Sequence, residues 1–194
     1  MKKLCTIVFL LAGLINFAQN KPSDGKISPI INSDIEKVAK DYYDHFDNIK
    51  GEKISETQNM IEYTSMINPP GAIESTVMKI KSLENSYSWQ ALMLDTENYN
   101  AAVAKYKELY HQLNNTRLSL GDGKTYKLKG AYDAPGEAKF FASSLLGLDA
   151  YPDELHQFKV EIAMAYTMPD WSVKIYIYEK EDDGDIKPTA NSDY

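Results

Sequence analysis

The chain has 194 residues, of which 43% are hydrophobic and 25% are charged, and its formal net charge is −7. That length suffices for one ordinary domain or two very small ones. The acidic balance excludes a typical nucleic-acid or anionic-membrane partner, because phosphate binding requires clustered lysine and arginine, and Arg117 is the only arginine.

Residues 1–18 predict a secretory signal peptide. Two lysines precede an apolar run over residues 7–15, and small and polar residues follow around Ala18. A run of about nine residues is far shorter than the roughly 20 needed to span a bilayer, so we expect no transmembrane anchor after signal removal. The single cysteine, Cys5, falls within this segment, which predicts a mature chain without thiols or disulfides. The expected location is therefore periplasmic or secreted.

Residues 19–32 are rich in turn-forming residues and predict a flexible leader. Ser33 and Glu36 then form a capping box, in which each side chain binds a free amide of a first helical turn. The predicted helix is amphipathic, and its apolar stripe consists of Ile35, Val38, Ala39, Tyr42, Phe46 and Ile49. Gly51 is its predicted end.

Alternating apolar and polar residues predict strands over residues 57–67, 73–83 and 87–95. A second amphipathic helix follows at residues 99–114. Residues 116–120 and 125–133 flank a glycine-rich turn and predict a hairpin, since glycine accepts positive φ. Residues 137–148 fit either a strand or a short helix, and we favour the strand.

The last predicted hairpin has Pro169 and Asp170 at its turn, which pairs Met164 with Ile175 on a wholly apolar face. The opposite face carries Lys174, Tyr176 and Tyr178, which we predict as candidate partner contacts because tyrosine offers rigid amphipathic area. The alternative interpretation is that a helix covers this face. Residues 181–194 predict a disordered acidic tail.

Together these elements predict an α+β fold, in which a mainly antiparallel sheet carries two amphipathic helices on one face. The domain would span residues 33–180. Its halves, 33–97 and 98–180, resemble a tandem duplication of a helix-plus-hairpin unit, because Val-Ala-Lys recurs in both helices and a tryptophan begins each final strand. Under duplication, Trp89 and Trp171 should occupy equivalent places. The alternative is one α+β domain without a repeat.

No spacing of a known catalytic motif occurs, and no cofactor or metal site is predicted. The histidines, His45, His111 and His156, are interpreted as surface residues without convergent ligands. We therefore expect an exported soluble binding or accessory protein of the cell envelope, with a protein or glycan partner. The alternative is a cell-envelope hydrolase that uses carboxylates such as Asp149, Asp153 and Glu154. A deep pocket with two close carboxylates would favour the enzyme, and a flat or saddle-shaped sheet would favour the binding protein.

Overall fold

The computed structural model describes residues 29–81, 86–120, 122–136, 138–150 and 155–179. The predicted signal peptide, residues 19–28 of the predicted leader and the predicted acidic tail lie outside these ranges. Within the described part of the chain, none of the helices has the length and apolar character needed to cross a membrane.

The described elements are two α-helices, one short 3₁₀ helix and nine strands. The helices are α1 (Pro29–Lys40), the 3₁₀ helix (Asp41–Asp44) and α2 (Tyr99–Leu113). The strands are β1 (Lys50–Glu56), β2 (Met60–Ser65), β3 (Glu74–Ile80), β4 (Ser86–Thr96), β5 (Arg117–Ser119), β6 (Thr125–Lys129), β7 (Phe141–Leu148), β8 (Phe158–Thr167) and β9 (Asp170–Glu179).

All nine strands form one sheet in the order β1-β2-β3-β4-β9-β8-β7-β6-β5. Every pairing is antiparallel. The sheet consists of two meanders, β1 to β4 and β5 to β9, whose last strands pair with each other at the centre. The predicted α+β class with a mainly antiparallel sheet is confirmed.

A single buried cluster joins both helices to the sheet. Along β9, the residues Trp171, Val173, Ile175 and Ile177 are buried and alternate with half-buried residues, as the two-residue period of a strand requires. The helices contribute Ile35, Val38, Ala39, Ala102, Tyr106, Leu109 and Leu113. Each large apolar side chain removed from water in this way stabilises the fold by about 1.5–3 kcal/mol, before conformational entropy is subtracted.

The start of α1 differs from the prediction. The helix already includes Pro29, so Ser33 lies inside it and is not its N-cap. The Glu36 carboxylate accepts from the Lys40 ammonium at 2.7 Å, four residues along the exposed face. The predicted capping box is therefore wrong, and the i, i+4 ion pair takes its place.

The end of α1 also differs. The helix stops at Lys40, and the turn after the 3₁₀ helix places His45 and Phe46 at positive φ (53° and 60°). The Asp41 carboxylate holds this turn by accepting from the backbone amide of Asn48 at 3.1 Å and from its side-chain amide at 2.6 Å. A local hydrogen bond between a side chain and the backbone competes with the hydrogen bonds that would extend the helix.

The first predicted strand, residues 57–67, corresponds to β2 alone. Residues 50–56 form β1, which the sequence did not predict, and β2 covers residues 60–65. Gly51, the predicted helix end, lies inside β1. A strand at the edge of the sheet buries little, so β1 shows no apolar alternation. The other predicted strands and α2 agree with the structure within a few residues, and residues 141–148 form a strand as favoured.

The last hairpin has a register two residues away from the predicted one. Thr167 pairs with Asp170, which leaves Met168 and Pro169 at the turn, and Met164 pairs with Val173. A shift of two residues preserves which side chains share a face. The faces of β9 are therefore as predicted, although the pairing partners are not.

Candidate functional site

The outer face of the sheet, opposite the buried cluster, contains a cavity of about 330 Å³. We call it the outer cavity. The residues that line it include Lys174, Tyr176 and Tyr178 from β9 and Glu161, Ala163 and Ala165 from β8. All three residues predicted as candidate contacts from the sequence thus line one cavity.

Small side chains make room for the outer cavity. Ala163 lies opposite Lys174, and Ala165 lies opposite Ser172, in the β8–β9 pair. Alanine leaves space above the strand that larger residues would fill. The rim includes Phe141, whose relative exposure is 56%, and Ile80, at 42%. The cavity thus has small alanine side chains at its base and apolar, partly exposed side chains around its opening.

Glu161 is the carboxylate at one side of the outer cavity. It accepts hydrogen bonds from the Tyr178 hydroxyl at 2.7 Å and from the Ser143 hydroxyl on its other oxygen. Burial, together with the hydrogen bond to Glu161, raises the pKa of Tyr178 above its usual range. Burial also raises the pKa of Tyr176, to which the charge of Glu161 adds. Both tyrosines therefore remain neutral hydroxyl groups at physiological pH.

Lys174 is the positive group of the outer cavity. It is half-buried, and within the described residues its ammonium forms neither a hydrogen bond nor an ion pair. Glu161 pairs with Tyr176, two residues from Lys174, so the two charges are diagonal neighbours. Diagonal neighbours across an antiparallel pair are typically about 7–8 Å apart. The cavity therefore presents a positive charge that Glu161 does not neutralise by direct contact.

A second cavity, of about 170 Å³, lies beside the turn that follows α1. His45 stacks on Tyr87 there, with the ring centroids 4.8 Å apart, and Glu179 and Tyr87 line both cavities. His45 is exposed. The nearby Asp41 carboxylate accepts its hydrogen bonds from Asn48.

Of the three carboxylates proposed for a hydrolase, Asp149 alone lies in the described part of the chain. Asp149 is exposed and accepts from the Lys127 amide at 2.9 Å, and Asp153 and Glu154 lie outside the described residues. Within those residues, no three histidine, cysteine, aspartate or glutamate side chains converge as metal ligands. His111 is exposed on α2 and lines neither cavity.

Sequence reasoning placed the residues that β8 and β9 contribute on one face, but it missed those that β3, β4 and β7 bring to the outer cavity. It placed Glu161 on the same face as Lys174, but gave no reason to connect Glu161 with Ser143 on a different hairpin. Phe141 enters the site because β7 pairs with β8, which places it opposite Ala165. Such a neighbour is known only once the strand order is known.

The comparisons with known proteins identify no relative. No protein-family model matches the chain, and neither a curated protein nor a solved structure matches it.

Proposed function

We propose that this chain is an exported binding or accessory protein of the cell envelope, which acts in the periplasm or after secretion. The observation that carries the proposal is the outer cavity, in which Lys174, Tyr176 and Tyr178 meet on one face of the sheet. Export is inferred from the signal-peptide pattern of residues 1–18.

The partner binds through the outer face, and its chemistry is that of a protein or a glycan. Tyrosine rings suit both, because they offer apolar area and a hydroxyl that can donate or accept. Phe141 and Ile80 extend the apolar area at the rim. Contact of this kind requires neither a cofactor nor a metal.

We further propose that both helices lie on one face of the sheet and that the chain arose by tandem duplication. The two meanders support the duplication. The tryptophans support it as well: Leu92 of β4 pairs with Lys174 of β9, Trp89 lies three residues before Leu92, and Trp171 lies three residues before Lys174. The helices fit less well, since α1 packs against β5, whereas α2 packs against β4, β8 and β9.

The test is affinity capture from the native envelope fraction, with mass spectrometry of the bound material. We expect the Tyr176→Ala, Tyr178→Ala double variant to lose the captured partner and keep its far-UV circular dichroism spectrum. The matched control is Met66→Ala with Ile73→Ala, which removes two exposed apolar side chains outside the cavity. A partner retained by the tyrosine variant, or no partner at any salt concentration, contradicts the proposal. Loss of the spectrum would mark this face as core.

A further inference from the structure

We propose that the outer cavity binds an amphipathic monoanion, a ligand with an apolar body and one acidic group that Lys174 holds. The inference rests on the proposed function, because it takes the outer face as the binding surface and specifies the group of the partner that enters the cavity, an apolar portion with one acidic group.

Two acidic residues line the outer cavity, Glu161 and Glu179. Glu179 is exposed and follows Ile177 in the alternation of β9, whereas Glu161 lies on the face of Lys174. On that face of the described strands Lys174 is the charged group without a partner, which favours an anion over a cation. Each carboxylate oxygen of Glu161 already accepts a hydrogen bond, one from the Tyr178 hydroxyl and one from the Ser143 hydroxyl. The Lys174 ammonium has no such partner among the described residues, and its half-buried position keeps part of it away from water. A charge-assisted hydrogen bond to a ligand acid would supply the missing partner.

The lining of the outer cavity selects an apolar body for the rest of the ligand. Its volume of about 330 Å³ lies at the lower end of the range usual for small-molecule sites. Ala163 and Ala165 form the floor, and Phe141 and Ile80 stand at the rim. Burial of ring or chain surface against these groups contributes affinity in proportion to the apolar area removed from water.

The position of Glu161 limits the ligand to one acidic group. A second anion on the ligand would approach the Glu161 carboxylate, which is already a negative charge on the face of Lys174, and like charges at short range repel. Tyr176 and Tyr178 stay protonated, so their hydroxyl groups can form hydrogen bonds with neutral polar atoms of the ligand near Glu161. A single negative charge next to Lys174 provides a partner for the lysine and avoids repulsion from Glu161.

Two matched dyes separate the charge from the apolar body. The anionic probe is 8-anilinonaphthalene-1-sulfonate, and the neutral probe is N-phenyl-1-naphthylamine, which has the same rings without the sulfonate. Fluorescence titration of the intact protein with each dye gives two dissociation constants. We expect the sulfonate to bind more tightly, since only it can pair with Lys174.

Three variants then assign the interaction. Lys174→Met should weaken binding of the sulfonate by about tenfold and leave binding of the neutral dye nearly unchanged, because the variant removes the charge and keeps an apolar chain. Lys107→Met removes a lysine from the exposed side of α2 and should change neither constant. Ala165→Leu fills the floor and should weaken both dyes.

The outcomes distinguish this inference from the proposed function. The proposed preference for a monoanion is wrong if the neutral dye binds as tightly as the sulfonate dye. It is also wrong if Lys174→Met leaves the dissociation constant of the sulfonate dye unchanged. Sensitivity of both dyes to Ala165→Leu would still support binding at the outer face. If neither dye binds and the tyrosine double variant also retains its captured partner, the inference and the proposed binding face both fail.

Discussion

Tyr106 links α2 to two distant parts of the chain through one buried hydroxyl group. That hydroxyl lies 2.6 Å from the Ser144 hydroxyl and donates to the Asp133 carbonyl at 3.1 Å. Ser144 also accepts from the Asp133 amide at 3.1 Å. Tyr106 and Ser144 are both fully buried, so these bonds satisfy polar groups that water cannot reach.

The Tyr106 hydroxyl gives stability a dependence on alkaline pH. Burial raises its pKa to about 12, whereas an unfolded tyrosine ionises near 10. Between about pH 10 and 12 the folded state keeps a proton that the unfolded state has lost, so the free energy of unfolding falls as the pH rises. We expect Tyr106→Phe to reduce this fall and to cost about 1 kcal/mol at pH 7.

Ser144→Ala is the matched control for Tyr106→Phe. It removes the same hydrogen bond but keeps the titrating group, so it should lower stability at pH 7 and retain the fall at alkaline pH. Urea unfolding at pH 7, 10 and 11 measures both effects. An unchanged alkaline fall in Tyr106→Phe would show that Tyr106 is not its source.

At the scale of elements, Gly130 determines how β6 meets β7. Its amide donates to the Asn114 side chain at 3.3 Å, and its carbonyl accepts from the Tyr110 hydroxyl at 2.9 Å. A methyl group on Gly130 would overlap the carbonyl oxygen of Leu145 in β7. That oxygen belongs to the backbone of a paired strand, so it cannot move away without disturbing the pairing.

We therefore expect Gly130→Ala to destabilise the protein by about 2–3 kcal/mol, the usual cost of forcing extra volume into a packed site. The control is Gly136→Ala, whose added methyl group would meet its nearest atom, Lys139 Cγ, at 3.9 Å. The control should change stability by less than about 0.5 kcal/mol. Equal urea midpoints for the two variants would refute the close approach at Gly130.

The elements that the sequence predicts well are those with one buried face. The strand pattern of β9 follows from the contrast between Val173 and Ile175 on one side and Lys174 and Tyr176 on the other. β1 lacks this contrast, because an edge strand is held by backbone bonds. The failure at Ser33 has a similar cause: a capping box is a local signal, and it cannot show that the helix begins earlier.

The residues of the candidate site were likewise predictable only where the pattern of one strand determines them. Lys174, Tyr176 and Tyr178 could be placed on one face from the period of a single strand. Their cavity could not be predicted, because it also depends on Phe141 in β7 and Ile80 in β3. Those neighbours follow from strand order and register, and both are set by long-range packing.

At the scale of the whole molecule, the predicted halves 33–97 and 98–180 interlock. The sheet crosses from one to the other where β4 pairs with β9. The rings of Tyr42, in the first half, and Phe158, in the second, meet edge to face with their centroids 5.1 Å apart. Residues of both halves share one buried cluster. Neither half therefore buries its apolar surface alone.

Shared burial predicts a single cooperative unfolding transition, and the two tryptophans can test it. Trp89 is fully buried in the first half, and Trp171, at 8% exposure, begins β9 in the second. Trp171→Phe leaves Trp89 as the only reporter, and Trp89→Phe leaves Trp171. In each variant, the urea transition followed by tryptophan fluorescence should coincide with the one followed by far-UV circular dichroism. A fluorescence transition that precedes the circular dichroism transition in one variant and follows it in the other would mean that the halves unfold separately. That result would favour two independent copies over one continuous sheet.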